Sequence, residues 1–196
     1  MATDRYRPAV RALRPGSVAG DSRQVLVPAA DMTDVAARAV RLQDVEIERD
    51  RQGARLRSGR DTKPLPTVDE TFLDHQVILG SLPTARHRVI TGRGPLRSAL
   101  ARTGRDERPV TLHTDDQQLA LACPGSAGTT LPALCTGAPL RISFDPEVLL
   151  PALDAGVGPD VLLEISSPTR PVVVRSADQG SFTTLVMPVH DAPAGA

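Results

Sequence analysis

Aromatic residues are scarce in this sequence. Of its 196 residues only Tyr6, Phe72, Phe144 and Phe182 are aromatic, and there is no tryptophan. Proteins that bind single-stranded nucleic acid without sequence preference stack successive bases on aromatic side chains. Four scattered rings do not build such a platform, so the sequence excludes a base-stacking protein of the single-strand-binding kind.

An excess of charge is also lacking. The chain has 23 basic and 23 acidic residues, and Lys63 is its only lysine. A protein without net charge has no overall basic field to draw it onto DNA. Any contact with nucleic acid must therefore come from a local stripe of arginines.

No apolar run approaches the roughly 20 residues that a membrane-spanning helix needs. The first residues, 1–7, also lack the apolar centre of a signal peptide. We therefore expect a cytoplasmic protein without membrane contact. Cysteines are usually reduced in that compartment, so we expect Cys123 and Cys135 to be small core residues rather than a disulfide.

Patterns that carry catalysis or metal binding are missing as well. His75, His87, His113 and His190 lie far apart, without the spacing of a metal site. Gly92-Arg-Gly94 is not followed by the lysine of a phosphate-binding loop and predicts only a turn. No pair of carboxylates is placed for acid–base work. We expect no enzyme, no metal and no cofactor.

What the sequence does contain is one pattern three times: a strand, a short amphipathic helix and a hairpin. The first copy predicts a strand over 24–28, a helix capped by Asp31, and a hairpin over 45–58. Apolar residues at helical spacing predict the buried stripe of that helix: Met32, Val35, Ala36, Ala39 and Val40.

The second and third copies are more regular. The second predicts a strand over 87–91, a helix with Pro95 as its first residue, a hairpin over 110–123 and a strand over 130–136. The third predicts a strand over 140–144 and a helix started by Asp145-Pro146-Glu147, ended at Gly156 and kinked or loosened by Pro151. Strands over 161–165 and 171–175 and a closing strand at Leu185–Val189 follow.

This repetition predicts an α+β fold of half-units, with helices on one face of antiparallel sheets. One such half-unit cannot bury both its helix and its sheet face alone. Two half-units form a domain of ordinary size, so the third half-unit lacks a mate. We expect self-association through this half-unit, or a partner segment, or mobility of residues 1–70.

The end of the chain, Leu185-Val-Met-Pro-Val189, resembles the C-terminus of the bacterial replicative sliding clamp, the beta subunit of DNA polymerase III. Ala2-Thr-Asp-Arg-Tyr-Arg-Pro-Ala-Val10 resembles a segment of the clamp's middle domain, and Phe72–Leu79 resembles the linker into its last domain. The resemblance covers residues 2–190. It implies the DNA clamp fold, with the second half of a middle domain over 1–72, a complete C-terminal domain over 73–190, and a disordered tail over 191–196.

The resemblance also implies a groove that captures partner peptides of replication or repair proteins. Carried over position by position, its residues are Arg7, Pro8, Leu73, Ile78, Pro171, Leu185, Met187, Pro188 and Val189. Apolar walls and a flexible methionine suit an extended peptide with leucine or phenylalanine anchors. Four positions depart from the family pattern, which predicts a weakened or altered groove: Pro8, Leu73, Val77 and His190.

Clamps line their pore with basic helix residues that touch DNA phosphates without reading sequence. The matching positions here are Arg38, Arg97 and Arg102, whereas the third helix offers Glu147 and Asp154 instead. The alternative interpretation is that these arginines only form a solvated helix face.

The resemblance therefore implies a non-catalytic, clamp-like processivity protein, truncated or divergent, that docks peptides and associates with double-stranded DNA during replication. A second hypothesis comes from another class. Clamp-like regions also occur in helix-turn-helix regulators of the MerR type, and the chain could be the interaction region of such a regulator. A remnant without function is a third reading.

Overall fold

The structure is a computed structural model that describes residues 1–4, 7–18, 24–42, 44–50, 53–103, 109–115, 117–123 and 127–189. The predicted tail, 191–196, and His190 lie outside the described residues. The elements in chain order are β1 (Ala2–Thr3), β2 (Pro8–Arg11), α1 (Ala29–Ala39), β3 (Glu46–Asp50), β4 (Gly53–Ser58), β5 (Asp61–Leu65), α2 (His75–Gly80), β6 (His87–Gly92), α3 (Arg93–Arg102), β7 (Val110–Asp115), β8 (Gln118–Ala122), β9 (Thr129–Thr136), β10 (Leu140–Phe144), α4 (Pro146–Ala155), β11 (Asp160–Ile165), β12 (Val172–Arg175) and β13 (Phe182–Val186).

The chain forms two compact units. The larger unit comprises Met1–Arg14 and His75–Ala196, and the smaller unit comprises Pro15–Asp74. The first fourteen residues thus group with the last part of the chain, because β2 pairs with β13. The domain boundaries implied by the resemblance, 1–72 and 73–190, stay a prediction.

The larger unit is built on one antiparallel sheet in the order β1-β2-β13-β12-β11-β6-β9-β8-β7-β10. Strand β10, the last in this order, is also linked to the segment that follows β13, because Ser143 of β10 forms a bridge with Val189. Helices α3 and α4 pack against each other. Their buried residues join those of eight strands, β6 to β13, in one core.

The same half-unit occurs twice within the larger unit. The first half runs from β6 through α3 to β9, and the second runs from β10 through α4 to β13. Aligning the residues that precede the two helices, Gly92 and Asp145, superposes the buried stripe of α3 (Leu96, Ala99, Leu100) on that of α4 (Leu149, Ala152, Leu153). Each first strand pairs with the hairpin of the other half, β6 with β11 and β10 with β7. The predicted α+β fold of repeated half-units is therefore confirmed.

The smaller unit is a three-stranded antiparallel sheet, β3-β4-β5, with helix α1. Its small core consists of Val35, Ala54, Leu56 and Leu65, with Val25 and Val27 packed against it. Of the predicted stripe of α1 only Val35 is buried. Val40, which follows the helix, is 86% exposed.

Several local predictions need correction. Residues 24–28 form no strand. The Leu26 carbonyl accepts a backbone hydrogen bond from the Val68 N–H at 2.9 Å, and the Pro28 carbonyl accepts one from the Met32 N–H at 3.1 Å. Helix α1 begins after Pro28 rather than Asp31. Asp31 instead lies in the first turn, where its charge favours the helix dipole. Pro95 is the third residue of α3, a position in the first turn whose N–H has no intrahelical partner.

Helix α4 follows its prediction closely at both ends. The Asp145 side chain accepts a hydrogen bond of 2.9 Å from the Glu147 N–H, and Gly156 follows the last helical residue. The helix runs without interruption from Pro146 to Ala155 through Pro151, and the expected kink or loosening there stays a prediction. Packing of the apolar stripe on either side of Pro151 holds the helix together.

Candidate peptide-binding groove

A small apolar pocket lies on the larger unit where three elements meet. Strand β2, helix α2 and strand β13 supply its walls, and Met1 also lines it. The lining residues are Met1, Pro8, Val10, His75, Ile78, Leu79, Thr183 and Leu185. We call it the anchor pocket.

Local structure explains how these side chains converge. Pro8 and Val10 alternate along β2 and share one face, and Val10 lies opposite Thr183 of β13. His75, Ile78 and Leu79 lie at helical spacing on one side of α2. The intervening Val77 is off that side and is 66% exposed.

The anchor pocket is nearly full in this structure. Its free volume is about 10 Å³, no more than one water molecule occupies. A leucine or phenylalanine side chain enters only after the side chains of α2 or β13 move. Binding would therefore select an opened state, which lowers the apparent affinity.

A larger pocket of about 330 Å³ adjoins the anchor pocket and shares Leu79 and Thr183 with it. We call it the charged pocket, because Glu164 on its floor pairs with Arg175 at 2.9 Å and Arg88 at 3.3 Å. The apolar part of its lining consists of Leu79, Leu82, Pro83, Ala85, Pro171 and Val173. The two pockets together offer an apolar site followed by a mixed one.

The structure brings together only some of the residues that the resemblance assigns to the groove. Pro8, Ile78 and Leu185 line the anchor pocket, and Pro171 lines the charged pocket. Arg7 instead lines a different pocket, with Ala155 and Phe182, and pairs with Asp4 at 2.6 Å.

The remaining predicted residues lie elsewhere. Met187 follows β13 and is 43% exposed, without lining either pocket. Pro188 is buried, and the Val189 N–H donates a 2.8 Å hydrogen bond to the Ser143 carbonyl, which holds Val189 beside β10. Leu73 belongs to the smaller unit and is exposed.

Five lining residues were not predicted: Met1, Val10, His75, Leu79 and Thr183. Alternation along a strand would have given Val10 from Pro8 and Thr183 from Leu185. Helical spacing would have given His75 and Leu79 from Ile78, had the linker been recognised as a helix.

The arginines predicted to face DNA differ in their surroundings. Arg97 of α3 donates a hydrogen bond to the Asp154 carboxylate of α4. This hydrogen bond and the charge of Asp154 raise the pKa of Arg97 above its ordinary value. Arg38 and Arg102 are exposed in the last turns of α1 and α3.

Arg93, the first residue of α3, was not predicted to have a role. Its guanidinium donates hydrogen bonds to the Leu153 carbonyl at 3.0 Å and the Gly158 carbonyl at 2.8 Å. Of the three arginines of α3, Arg97 thus pairs with Asp154 of α4, and Arg93 binds carbonyls at and beyond the end of α4.

Within the described ranges, no group of histidine, cysteine and carboxylate side chains could hold a metal ion. Cys123 and Cys135 are half-buried thiols packed against the core. No helix among the described residues has the length and hydrophobicity needed to cross a membrane.

No family model and no curated protein sequence matches the chain. Solved structures do match it. A sliding clamp of Bartonella birtlesii has a TM-score of 0.83 and 26% identity over 97% of this chain and 57% of its own. A Pseudomonas aeruginosa clamp bound to griselimycin has a TM-score of 0.83 and 25% identity, over 97% of this chain and 53% of its own. The DNA polymerase III beta subunit of Thermotoga maritima has a TM-score of 0.81 and 19% identity, over 97% of this chain and 54% of its own.

These matches define the class of the protein as a DNA clamp fold, built from repeated half-units with paired helices. Within that class the chain has the fold of bacterial DNA polymerase III beta sliding clamps, as the resemblance implied. It spans slightly more than half the length of the clamps that it matches.

Proposed function

We propose that the chain is a non-catalytic, clamp-like protein that docks partner peptides in the anchor and charged pockets. The observation that carries this proposal is the convergence of Pro8, Ile78 and Leu185, from three separate elements, on one apolar pocket. Apolar pockets with a few polar groups at their margin are typical ligand sites. The griselimycin complex of the P. aeruginosa clamp supports a ligand-binding surface on this fold.

The arrangement of the two pockets indicates the kind of peptide. An apolar anchor, leucine or phenylalanine, would enter the anchor pocket, and the neighbouring residues would extend over the charged pocket. There a polar side chain could bind beside the Arg88–Glu164–Arg175 cluster. Replication and repair proteins that carry such motifs are the proposed partners.

The adjacent residues Ile78 and Val77 provide a test of the groove. Ile78→Arg places a charge in the anchor pocket, and we expect it to weaken binding about tenfold or more. Val77→Arg adds the same charge to the exposed side of α2 and should change the affinity less than about twofold. The measurement is fluorescence anisotropy of a labelled peptide with a leucine–phenylalanine anchor, with circular dichroism to verify folding. Equal losses in both variants, or no binding by the unmodified chain, would refute the groove.

For double-stranded DNA we propose an association that is weak and independent of sequence. Basic residues bind DNA because they neutralise phosphates and release the counterions held there. Arg97 is already paired with the Asp154 carboxylate, which competes with a phosphate for its charge. Arg102 then remains on α3 for this purpose, and Arg38 on α1.

Removing the competing carboxylate should reveal this effect. Asp154→Asn frees Arg97, and we expect a severalfold higher affinity for duplex DNA at low salt. The slope of log affinity against log salt should become steeper by about 0.9, as one further phosphate contact predicts. Asp69→Asn, which removes the same charge from a loop of the smaller unit, should leave the slope unchanged. If both variants bind DNA alike, net charge rather than the Arg97 position governs the contact.

A further inference from the structure

The smaller unit repeats the half-unit that occurs twice in the larger one. Aligning Pro28 with Gly92, the residues that precede α1 and α3, superposes Met32, Val35 and Ala36 on the buried stripe Leu96, Ala99 and Leu100. The hairpins also agree, because Asp50 pairs with Gly53 as Asp115 pairs with Gln118.

The same alignment extends to the first strand of the half-unit. In the larger unit Ile90 of β6 pairs with Leu134 of β9. The equivalent residues in the smaller unit are Leu26 and Val68, and these form the hydrogen bond of 2.9 Å described above. Residues 24–28 therefore hold the position of β6.

Equivalent positions differ sharply in burial. Three apolar residues of the smaller unit are exposed where their equivalents in the larger unit are buried. Met32 is 38% exposed and its equivalent Leu96 is 0% exposed. Val45 is 37% exposed against 0% for Val110, and Ile47 is 64% exposed against 1% for Leu112.

The larger unit shows what covers these positions. The outer edge of β7 is paired with β10 of the other half, with Phe144 opposite Val110 and Ile142 opposite Leu112. In the described part of the smaller unit, β3 pairs with β4 and has no second neighbour. The smaller unit thus presents one half of an interface whose other half is a second half-unit.

We propose that the smaller unit dimerises with that of a second copy of this chain about a two-fold axis. The two halves of the larger unit pair reciprocally, so a half-unit that carries both contacting edges is self-complementary, as an isologous dimer requires. The register transfers directly. Val27 of one copy lies opposite Val45 of the other, as Thr91 lies opposite Val161, and Val25 lies opposite Ile47, as Val89 lies opposite Leu163.

Exposed apolar side chains contribute part of the surface that such a dimer would bury. Burying one large apolar side chain contributes about 1.5–3 kcal/mol, which at about 25 cal/mol per Å² corresponds to about 60–120 Å² of apolar area. Three exposed large apolar residues lie at positions that are buried in the larger unit, Met32, Val45 and Ile47, which gives about 180–360 Å² per copy. Two reciprocal strand pairings add backbone area, and a standard interface buries about 800 Å² per partner.

Disulfide trapping tests the register. Directly opposed residues of an antiparallel pair lie about 4.5–5.5 Å apart, within disulfide range. In a Cys123→Ser, Cys135→Ser background, we expect Val27→Cys with Val45→Cys to give a covalent dimer on oxidation. Val27→Cys with Glu46→Cys should not, because a shift of one residue places the side chains on opposite faces. Equal trapping of both pairs, or of neither, would overturn the proposed register.

Light scattering after gel filtration tests the dimer itself. We expect a dimer at about 100 μM, above a micromolar dissociation constant. Ile47→Glu should shift the protein to the mass of a monomer, whereas Leu134→Glu, at a residue of the larger unit that is 68% exposed, should leave it dimeric. A monomeric unmodified chain, or a dimer that survives Ile47→Glu, would refute the proposal. None of these residues lines the groove, so a failure here leaves the peptide proposal standing.

Discussion

Replacing Gly137 by alanine is expected to lower the free energy of unfolding of the larger unit by about 3 kcal/mol. Gly137 has a φ of 99°, which side chains rarely tolerate, and a non-glycine residue in a left-handed conformation costs about 1–2 kcal/mol. A Cβ there would also lie 2.5 Å from the Arg86 carbonyl oxygen and 2.7 Å from His87 Nδ1. Backbone would have to move, at a typical overpacking cost of about 1–3 kcal/mol.

The position makes this cost hard to avoid. Gly137 joins β9 to β10 and so connects the two half-units, and His87 at the start of β6 contacts the same turn through the Ala138 carbonyl at 3.0 Å. A shift of the turn would disturb the pairing of β6 with β9.

Urea unfolding followed by circular dichroism measures the effect. With a slope of about 2 kcal/mol per molar urea, the midpoint should fall by about 1.5 M. Gly94→Ala is the matched control, because nothing lies within 4 Å of its Cβ position in α3, and alanine should stabilise a helix there by about 0.5–1 kcal/mol. If the urea midpoint of Gly137→Ala lies within about 0.3 M of that of the unmodified chain, the expected strain of an alanine at position 137 is contradicted.

The elements that sequence predicts well are those whose signal is local. The stripe Leu96, Ala99 and Leu100 and the start signal Asp145-Pro146 each lie within a few residues. Both helices contain the predicted buried residues, and α4 also begins where its signal predicts. The three repeats could be recognised for the same reason, since each contains its own helix and hairpin.

The elements that sequence missed depend on distant parts of the chain. Strand β2 has only four residues and begins with a proline; it is a strand because β13 pairs with it, and Thr184 Oγ1 donates to the Pro8 carbonyl at 3.0 Å. Helix α2, with six residues, is too short for its spacing to stand out. Residues 24–28 show the converse: this apolar run forms no strand, since none of the strands in the described part of the chain pairs with it.

The groove was predicted through the resemblance and therefore only at positions that match the family. It included Pro8 and Ile78 but also Arg7, although neighbouring residues of an extended segment point to opposite faces. The structure separates the two, with Arg7 beside Phe182 and Pro8 beside Leu185. Strand alternation would have made that distinction only once the strand itself was known.

Replacing Arg93 is also expected to lower stability strongly, and Arg93 too acts on residues that are distant in the sequence. Arg93→Met should lower the free energy of unfolding by about 2–3 kcal/mol, because two hydrogen bonds from a charged donor are lost. The Leu153 carbonyl belongs to the last turn of α4, where carbonyls have no partner within the helix. Arg93 thereby ties the start of α3 to the end of α4.

Methionine retains most of the apolar stem of arginine, so the loss reports the guanidinium rather than packing. Arg102→Met, in the last turn of the same helix, removes an exposed charge and should cost no more than about 1 kcal/mol through the helix dipole. Hydrogen exchange distinguishes this role from a general loss of stability. Faster exchange at Gly156, whose N–H bonds to the Leu153 carbonyl, should exceed that at β7 and β8 in the Arg93 variant. Uniform acceleration would mean that Arg93 stabilises the fold as a whole and does not specifically hold the end of α4.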